Sequence, residues 1–310
     1  ADLHLAKRPM AKLKALWRFR PSLFKPVIGL ERGLTDPIVE LNMGQTAEVI
    51  AQLFGITRAQ ADEYAVSSHL RLARAQREGW LDNEVVPAIS TDGRIYKDDC
   101  RIRRRRRMAG TIYKEDDGVR PDSSVEHLAK LRPVFERPYG IVTAGNSSQI
   151  TDGASWMILA SEEAVKKHNL TPRAVITDSC WSALDPEIMG LGPAMSIAQL
   201  LSRHQYRLDD IDLWELNEAF AAQVLACLAA LEDETFCREA LKLEHCFGRI
   251  DRDKLNIDGG AVALGHPVGT SGNRIVLHLL NALERKGLKR GIATQCIGGG
   301  QAGAMMIERV

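Results

Sequence analysis

Almost no net charge is left on this 310-residue chain, in which 41 Lys and Arg stand against 40 Asp and Glu. Such a balance argues against a nucleic-acid coat or an acidic tail as its main business. No apolar run reaches the roughly 18 residues that a bilayer-spanning helix needs, which excludes a membrane span. The six cysteines, Cys100, Cys180, Cys227, Cys237, Cys246 and Cys296, contain no C-x-x-C pair. A disulfide framework is therefore not expected, and a reducing compartment fits better. Cys237, His245 and Cys246 lack the paired spacing of a zinc site.

What is present suits a globular protein of two domains or one large one. The chain is 45% hydrophobic and 26% charged, enough to bury a full core. Eleven of its 25 glycines fall between Gly259 and Gly303, where the backbone must turn sharply or approach something closely. The chain opens at Ala1, with no initiator Met, and is expected to be a piece of something longer. Residues 1–30 are rich in Lys and Arg and read as a basic surface segment; they contain no apolar core of a secretory signal.

The apolar pattern predicts a helix over 46–54. Thr57-Arg-Ala-Gln60 reads as a capping box that opens a second helix, ending at Gly79. Residues 80–140 are polar and proline-punctuated and read as irregular. From about residue 141, short apolar runs alternate with amphipathic helices, the rhythm of a layered α/β domain. Strands are expected at 154–160 (buried), 174–178, 213–216, 292–296 and 304–308. Helices are expected from a Ser161 cap to Lys167, from an Asn217 cap, and from a Ser271 cap to Gly287. The helix after Asn217 should bury Phe220, Val224, Cys227, Leu228 and Leu231 on one face.

Three segments place reactive or polar side chains in turns beside strand and helix ends: WELNEAFAAQ (214–223), NIDGGAVALGHPVGTSG (256–272) and ATQCIGGGQAGAMM (293–306). His266, between Gly265 and Pro267, has the chemistry of a base toward a thiol and of a donor to an oxyanion; the plainer alternative is a surface turn histidine. Cys296 precedes three glycines whose amides can converge on an anion and lower the thiol pKa; otherwise it is a buried strand-end cysteine. Asn217 is either an N-cap alone or an amide directed at a thioester carbonyl. Glu218 suits the helix dipole and needs no catalytic role.

In this order the NEAFA, GHP and C-x-G elements, at Asn217–Ala221, Gly265–Pro267 and Cys296–Gly298, resemble those of the thiolases, which make or cleave 3-oxoacyl-CoA. LNMGQTAE (41–48), the helix over 58–79, KLRPVF (130–135) and TAGNSSQITDGA (143–154) are similar to thiolase segments as well, so the resemblance runs from about residue 33 to the end. It implies a layered α/β/α/β/α fold, N-terminally incomplete. Residues 1–150 would be a CoA-facing loop domain, 151–172 the tail of the first core domain, and 173–310 the second core domain. His266 would activate the nucleophilic thiol and help to hold the acetyl thioester oxygen. Cys296 would be the acid–base cysteine, and Asn217 would position the water of one oxyanion hole. Gly298 would lend its amide to the other hole. Ser148, Ala219 and Phe220 would line the pantetheine channel, and Met43 the substrate-side loop.

The resemblance also implies acyl-CoA, acetyl-CoA and CoA as substrates in fatty acid metabolism or β-oxidation, and no metal or redox cofactor. A homodimer or homotetramer is expected, in contact with a hydratase/dehydrogenase subunit in some complexes, in the cytoplasm or, in a eukaryote, the mitochondrion. One departure stands out: none of Cys100, Cys180, Cys227, Cys237 and Cys246 lies in the context of the acyl-accepting cysteine. The expectation is an N-terminally truncated thiolase. The alternatives are a nucleophile from another chain and a CoA- or lipid-binding relative without turnover. Cys100 beside the arginines is a weaker candidate nucleophile, since no base is placed near it. Arg101 and Arg103–Arg107 are bracketed by acids and lack interleaved aromatics, which fits the phosphates of CoA better than nucleic acid.

Overall fold

A computed structural model describes residues 27–90 and 111–310. The Arg101–Arg107 run, Cys100 and the basic segment before residue 27 lie outside the described residues. The scaffold is one mixed four-stranded sheet of β3 (Ala174–Ala183), β4 (Leu213–Leu216), β5 (Arg290–Ile297) and β6 (Gln301–Arg309), in the order β3-β6-β5-β4. β6 is antiparallel to both neighbours, whereas β4 and β5 run parallel, with Leu216 opposite Thr294.

Strand alternation distributes the core to both faces. Ile292, Ala304 and Met306 point to one side, into a cluster with Ile197, Leu200 and Leu201 of helix α4 (Gly192–His204). Ala293 and Ile307 point to the other, against Ile275, Leu279 and Leu283 of helix α6 (Val268–Lys286). Each such leucine or isoleucine, fully withdrawn from water, contributes about 2 kcal/mol. The layered α/β arrangement expected from the sequence is therefore present, with helices on both faces of this sheet.

A further helical layer covers α4. Helix α5 (Ala221–Glu232) has ten of its twelve residues buried. It is not the one-faced amphipathic helix expected; its alanines let neighbours close in on every side. Those neighbours include α1 (Met43–Leu53) and α2 (Arg58–Arg77). Both begin with complete capping boxes, Asn42 with Gln45 and Thr57 with Gln60. Ile50, Tyr64 and Leu128 share one apolar cluster with Leu200 and Leu228, so α1, α2 and the turn at Val125–Ala129 rest directly on the sheet's helical cover. The span expected to be irregular, 80–140, holds two short antiparallel strands, β1 (Ala88–Ser90) and β2 (Thr111–Tyr113), and a helical turn at Val125–Ala129. Helix α3 (Glu162–His168) starts from its Ser161 cap as expected.

Three further expectations fail. Residues 154–160 form no strand and are not buried: Trp156 is 84% and Ile158 92% exposed. An apolar, extended segment becomes a strand only beside a partner that takes its backbone hydrogen bonds, and among the described residues none lies alongside. Asn217 does not cap α5, which begins four residues later with Phe220 in the cap position. Ser271 does not cap α6 either; Pro267 holds that place and Ser271 lies inside the first turn. Ser271 Oγ is engaged instead by His266 Nδ1 and the Pro267 carbonyl, whereas Asn217 still belongs to the ladder of β4 through its N–H, four residues before α5 begins.

Candidate functional site

In open sheets, sites gather beyond the carboxyl ends of parallel strands. β4 and β5 are the parallel pair here, and Asn217 is the first residue past β4. Its N–H continues the ladder to the Thr294 carbonyl at 3.0 Å, which holds it beside the end of β5. The chain then turns at once, with Ala219 N–H donating to the Asn217 carbonyl at 3.1 Å.

A second segment is laid against that turn. Ser148 N–H donates to the Ala219 carbonyl at 2.9 Å and Ala221 N–H to the Asn146 carbonyl at 2.9 Å. The same segment reaches the third, since His266 N–H donates to the Gln149 carbonyl at 2.8 Å. Gly265 must be glycine for this to happen: its φ is +98°, and a Cβ there would lie 2.5 Å from Thr151 Oγ1. Four predicted residues, Asn217, Ala219, Ser148 and His266, are thus joined by backbone geometry, and Phe220 bridges to Ser147 in the same ladder.

The His266 ring is fixed at both nitrogens. Nδ1 lies 2.6 Å from Ser271 Oγ, and Nε2 lies 3.5 Å from Asn217 Nδ2. Burial pushes its pKa down to about 4, helped by the nearby Arg274 guanidinium, so the imidazole is neutral at pH 7. Asn217 is wholly buried, yet its Oδ1 has no hydrogen-bond partner among the described residues. A buried acceptor of that kind fits a water molecule or a ligand donor.

Cys296, near the end of β5, is buried with Met189 and Ala219, and Met43 and Phe220 pack against the group. Its thiol is pushed up to about 12 by burial, against a smaller opposing pull from its own backbone N–H. This corrects the expectation of a lowered thiol pKa: desolvation outweighs the glycine amides. Those glycines instead make the turn into β6. Gly299 and Gly300 have φ of +84° and +73°, and a Cβ on Gly300 would overlap the Leu184 carbonyl at 2.1 Å. Gly298 is exposed, beside the Met43 sulfur.

Glu218 is the residue that sequence reasoning placed wrongly. It is no helix-dipole acid but a buried anchor. Tyr64 Oη and Asn256 Nδ2 donate to Oε1, at 2.8 and 3.1 Å; Ser68 Oγ and Val262 N–H donate to Oε2, at 2.6 and 3.1 Å. It thereby ties α2 to the turn after β4 and to the segment before Gly265. The cue was the pairing of one acid with donors 38 to 154 residues away, which no local pattern reveals. Among the described residues no group of three or more His, Cys, Asp or Glu could hold a metal ion, and no helix is long and apolar enough to cross a membrane.

Comparison with known proteins bears on what this arrangement does. Residues 24–163 match the family model described as thiolase, N-terminal domain, and residues 170–309 the one described as thiolase, C-terminal domain. The chain is 41% identical over 294 residues to the β-ketoadipyl-CoA thiolase of Pseudomonas aeruginosa, covering 95% of itself and 63% of that protein. It is 40% identical to the 3-ketoacyl-CoA thiolase of Aliivibrio fischeri, covering 91% of itself and 66% of that protein. In structure it is similar to human mitochondrial 3-ketoacyl-CoA thiolase in complex with CoA, with a TM-score of 0.75 and 37% identity over 94% of this chain and 66% of that one. The chain spans about two thirds of the length of these relatives.

Proposed function

The chain belongs to the thiolase family, and on that premise we propose that it supplies the acid–base half of a Claisen condensation between CoA thioesters, and of its reverse, thiolysis. The overall reaction joins an acyl-CoA and acetyl-CoA into a 3-oxoacyl-CoA and free CoA. The observation that carries this reading is the neutral His266 imidazole held 3.5 Å from the Asn217 amide, past the ends of the parallel strands, with Cys296 on the adjoining strand.

In this reading His266 Nε2 takes the proton of the acyl-accepting thiol, whose sulfur then attacks the thioester carbonyl and expels CoA. Cys296 removes an α-proton from the acetyl group of the second thioester. A thiol near 12 is a poor base in its resting form, so the step requires the thiolate to be stabilised as substrate binds. The Gly298 amide, and a water on the unpartnered Asn217 Oδ1, offset the oxyanion charge. Ser148, Ala219, Phe220 and Met43 line the approach of the pantetheine arm. All steps are acyl or proton transfers, so the reading asks for no metal or redox cofactor.

The thiols of Cys180, Cys227 and Cys237 donate to carbonyls of Ser196, Gly190 and Ala230, and Cys246 lies near Cys237. None of these four stands in the context of the acyl-accepting thiol, so the proposal leaves that role to a thiol supplied from outside the 310 residues. The proposed setting is the cytoplasm or, in a eukaryote, the mitochondrion. Exposed Trp156, Ile158 and Trp181 support burial against a further subunit, as in a homodimer or homotetramer.

Incubating the protein with acetyl-CoA in deuterium oxide tests the chemistry. Deuterium should enter the acetyl methyl group, and Cys296→Ala should abolish the exchange. Exchange that persists in Cys296→Ala, or binding of CoA without any exchange in the parent, would refute the assignment.

A further inference from the structure

We propose that Ser271 is the positioning residue of His266: its hydroxyl accepts the Nδ1–H of the imidazole and so leaves the Nε2 lone pair facing Asn217. The inference rests on the reading of His266 as a base and adds what makes it one.

Ser271 is fully buried in the first turn of α6, five residues after the histidine. Its Oγ lies 2.6 Å from His266 Nδ1 and 3.3 Å from the Pro267 carbonyl. A carbonyl oxygen only accepts, so it can take the hydroxyl proton and leave the Oγ lone pairs to the ring. On the far side of the ring, Asn217 Nδ2 stands 3.5 Å from Nε2, and an amide nitrogen only donates. The donors then run in one direction. Asn217 Nδ2–H points to Nε2, Nδ1–H to Ser271 Oγ, and Ser271 O–H to the Pro267 carbonyl. The opposite tautomer, Nε2–H, would set two donors against each other at Asn217.

The arrangement suits a base that is charged only briefly. When Nε2 takes a thiol proton, the sulfur becomes a thiolate and the ring an imidazolium, while Nδ1–H keeps the bond it already has. No second proton moves. A carboxylate in place of Ser271 would hold the ring protonated. A neutral hydroxyl does not, and the N-terminal end of α6 further disfavours a resident cation. Ser271 is also carried on a 19-residue helix anchored to the sheet by Ile275, Leu279 and Leu283, so the ring takes its orientation from a rigid element.

The test needs no turnover. The full chain is labelled with 15N-histidine, and two-bond proton–nitrogen correlation spectra at pH 7 report which nitrogen of each ring carries the proton. His266→Ala identifies the signal. The expected result is the Nδ1–H form in the parent, its loss in Ser271→Ala to a mixture containing Nε2–H, and its return in Ser271→Thr. An Nε2–H ring in the parent overturns the proposal even if neither variant folds, as does an unchanged Nδ1–H ring in a folded Ser271→Ala. An Nδ1–H ring in a protein that never exchanges acetyl protons would instead overturn the catalytic reading and leave this one standing.

Discussion

His266 and Asn217 meet across the end of β4 at 3.5 Å, ring nitrogen to amide nitrogen, although 49 residues separate them. Burial keeps that ring neutral, with a pKa near 4 against an ordinary 6.5. An NMR titration should therefore show no protonation of His266 above about pH 5. The folded state disfavours the proton that the unfolded chain accepts, so this residue's contribution to stability is complete above pH 6.5 and falls as pH drops toward 4. By comparison with His266→Asn, the loss should be at most about 3 kcal/mol.

Glu218 should behave as structure, not as catalyst. Glu218→Ala leaves three buried donors, Tyr64 Oη, Ser68 Oγ and Val262 N–H, without this acceptor and should cost about 3 kcal/mol or more in urea unfolding. Glu218→Gln, which keeps two acceptor lone pairs on one oxygen, should cost less. A Gln variant no more stable than the Ala variant would contradict the hydrogen-bond account.

His278 has the opposite electrostatics to His266. It is buried among Glu84 at 2.9 Å, Asp258 at 3.3 Å and Glu215 at 3.8 Å. Burial alone would lower its pKa, but these carboxylates raise it to about 10. Its stabilising charge is thus fully present below pH 6.5 and disappears as pH rises through 10. His278→Gln should lose about 3–5 kcal/mol at neutral pH by leaving buried carboxylates uncompensated, and the deficit should shrink above pH 10. Denaturant melts of both proteins across pH 6–10.5 would measure it.

Reactivity should follow burial among the cysteines. With its thiol pushed up to about 12, Cys296 should resist iodoacetamide at pH 7.5 while the half-exposed Cys246 is alkylated. Peptide mass mapping reads the order directly. Rapid labelling of Cys296 in the substrate-free protein would contradict a desolvated, protonated thiol.

Elements set by contiguous pattern were legible in the chain. The capping box at Thr57, the strand over 213–216 and the glycine that ends α6 at 287 all stand where the residues imply. Failures came where a local preference met a distant competitor. Asn217 and Ser271 have good cap chemistry, but the strand ladder holds the Asn217 backbone beside Thr294 and the His266 ring takes the Ser271 hydroxyl. Segment 154–160 has the composition of a strand, yet composition does not supply the neighbouring backbone that a strand needs. The three short motifs singled out Asn217, His266 and Cys296 as candidates, and the fold brings the first two into contact. The residues that support them, Ser271, Tyr64, Ser68 and Asn256, carry no motif of their own, because their roles depend on approach in space.

The segment 146–149 is bonded on one edge to 219–221 and at its end to His266. Those bonds make it a mechanical coupling between the turn after β4 and the turn that carries His266. A displacement of this strip carries residues 219–221 and the imidazole together, so neither can shift without the other. Met43 and Met189, which pack with Cys296 and Ala219, carry flexible thioethers that can repack without disturbing those bonds.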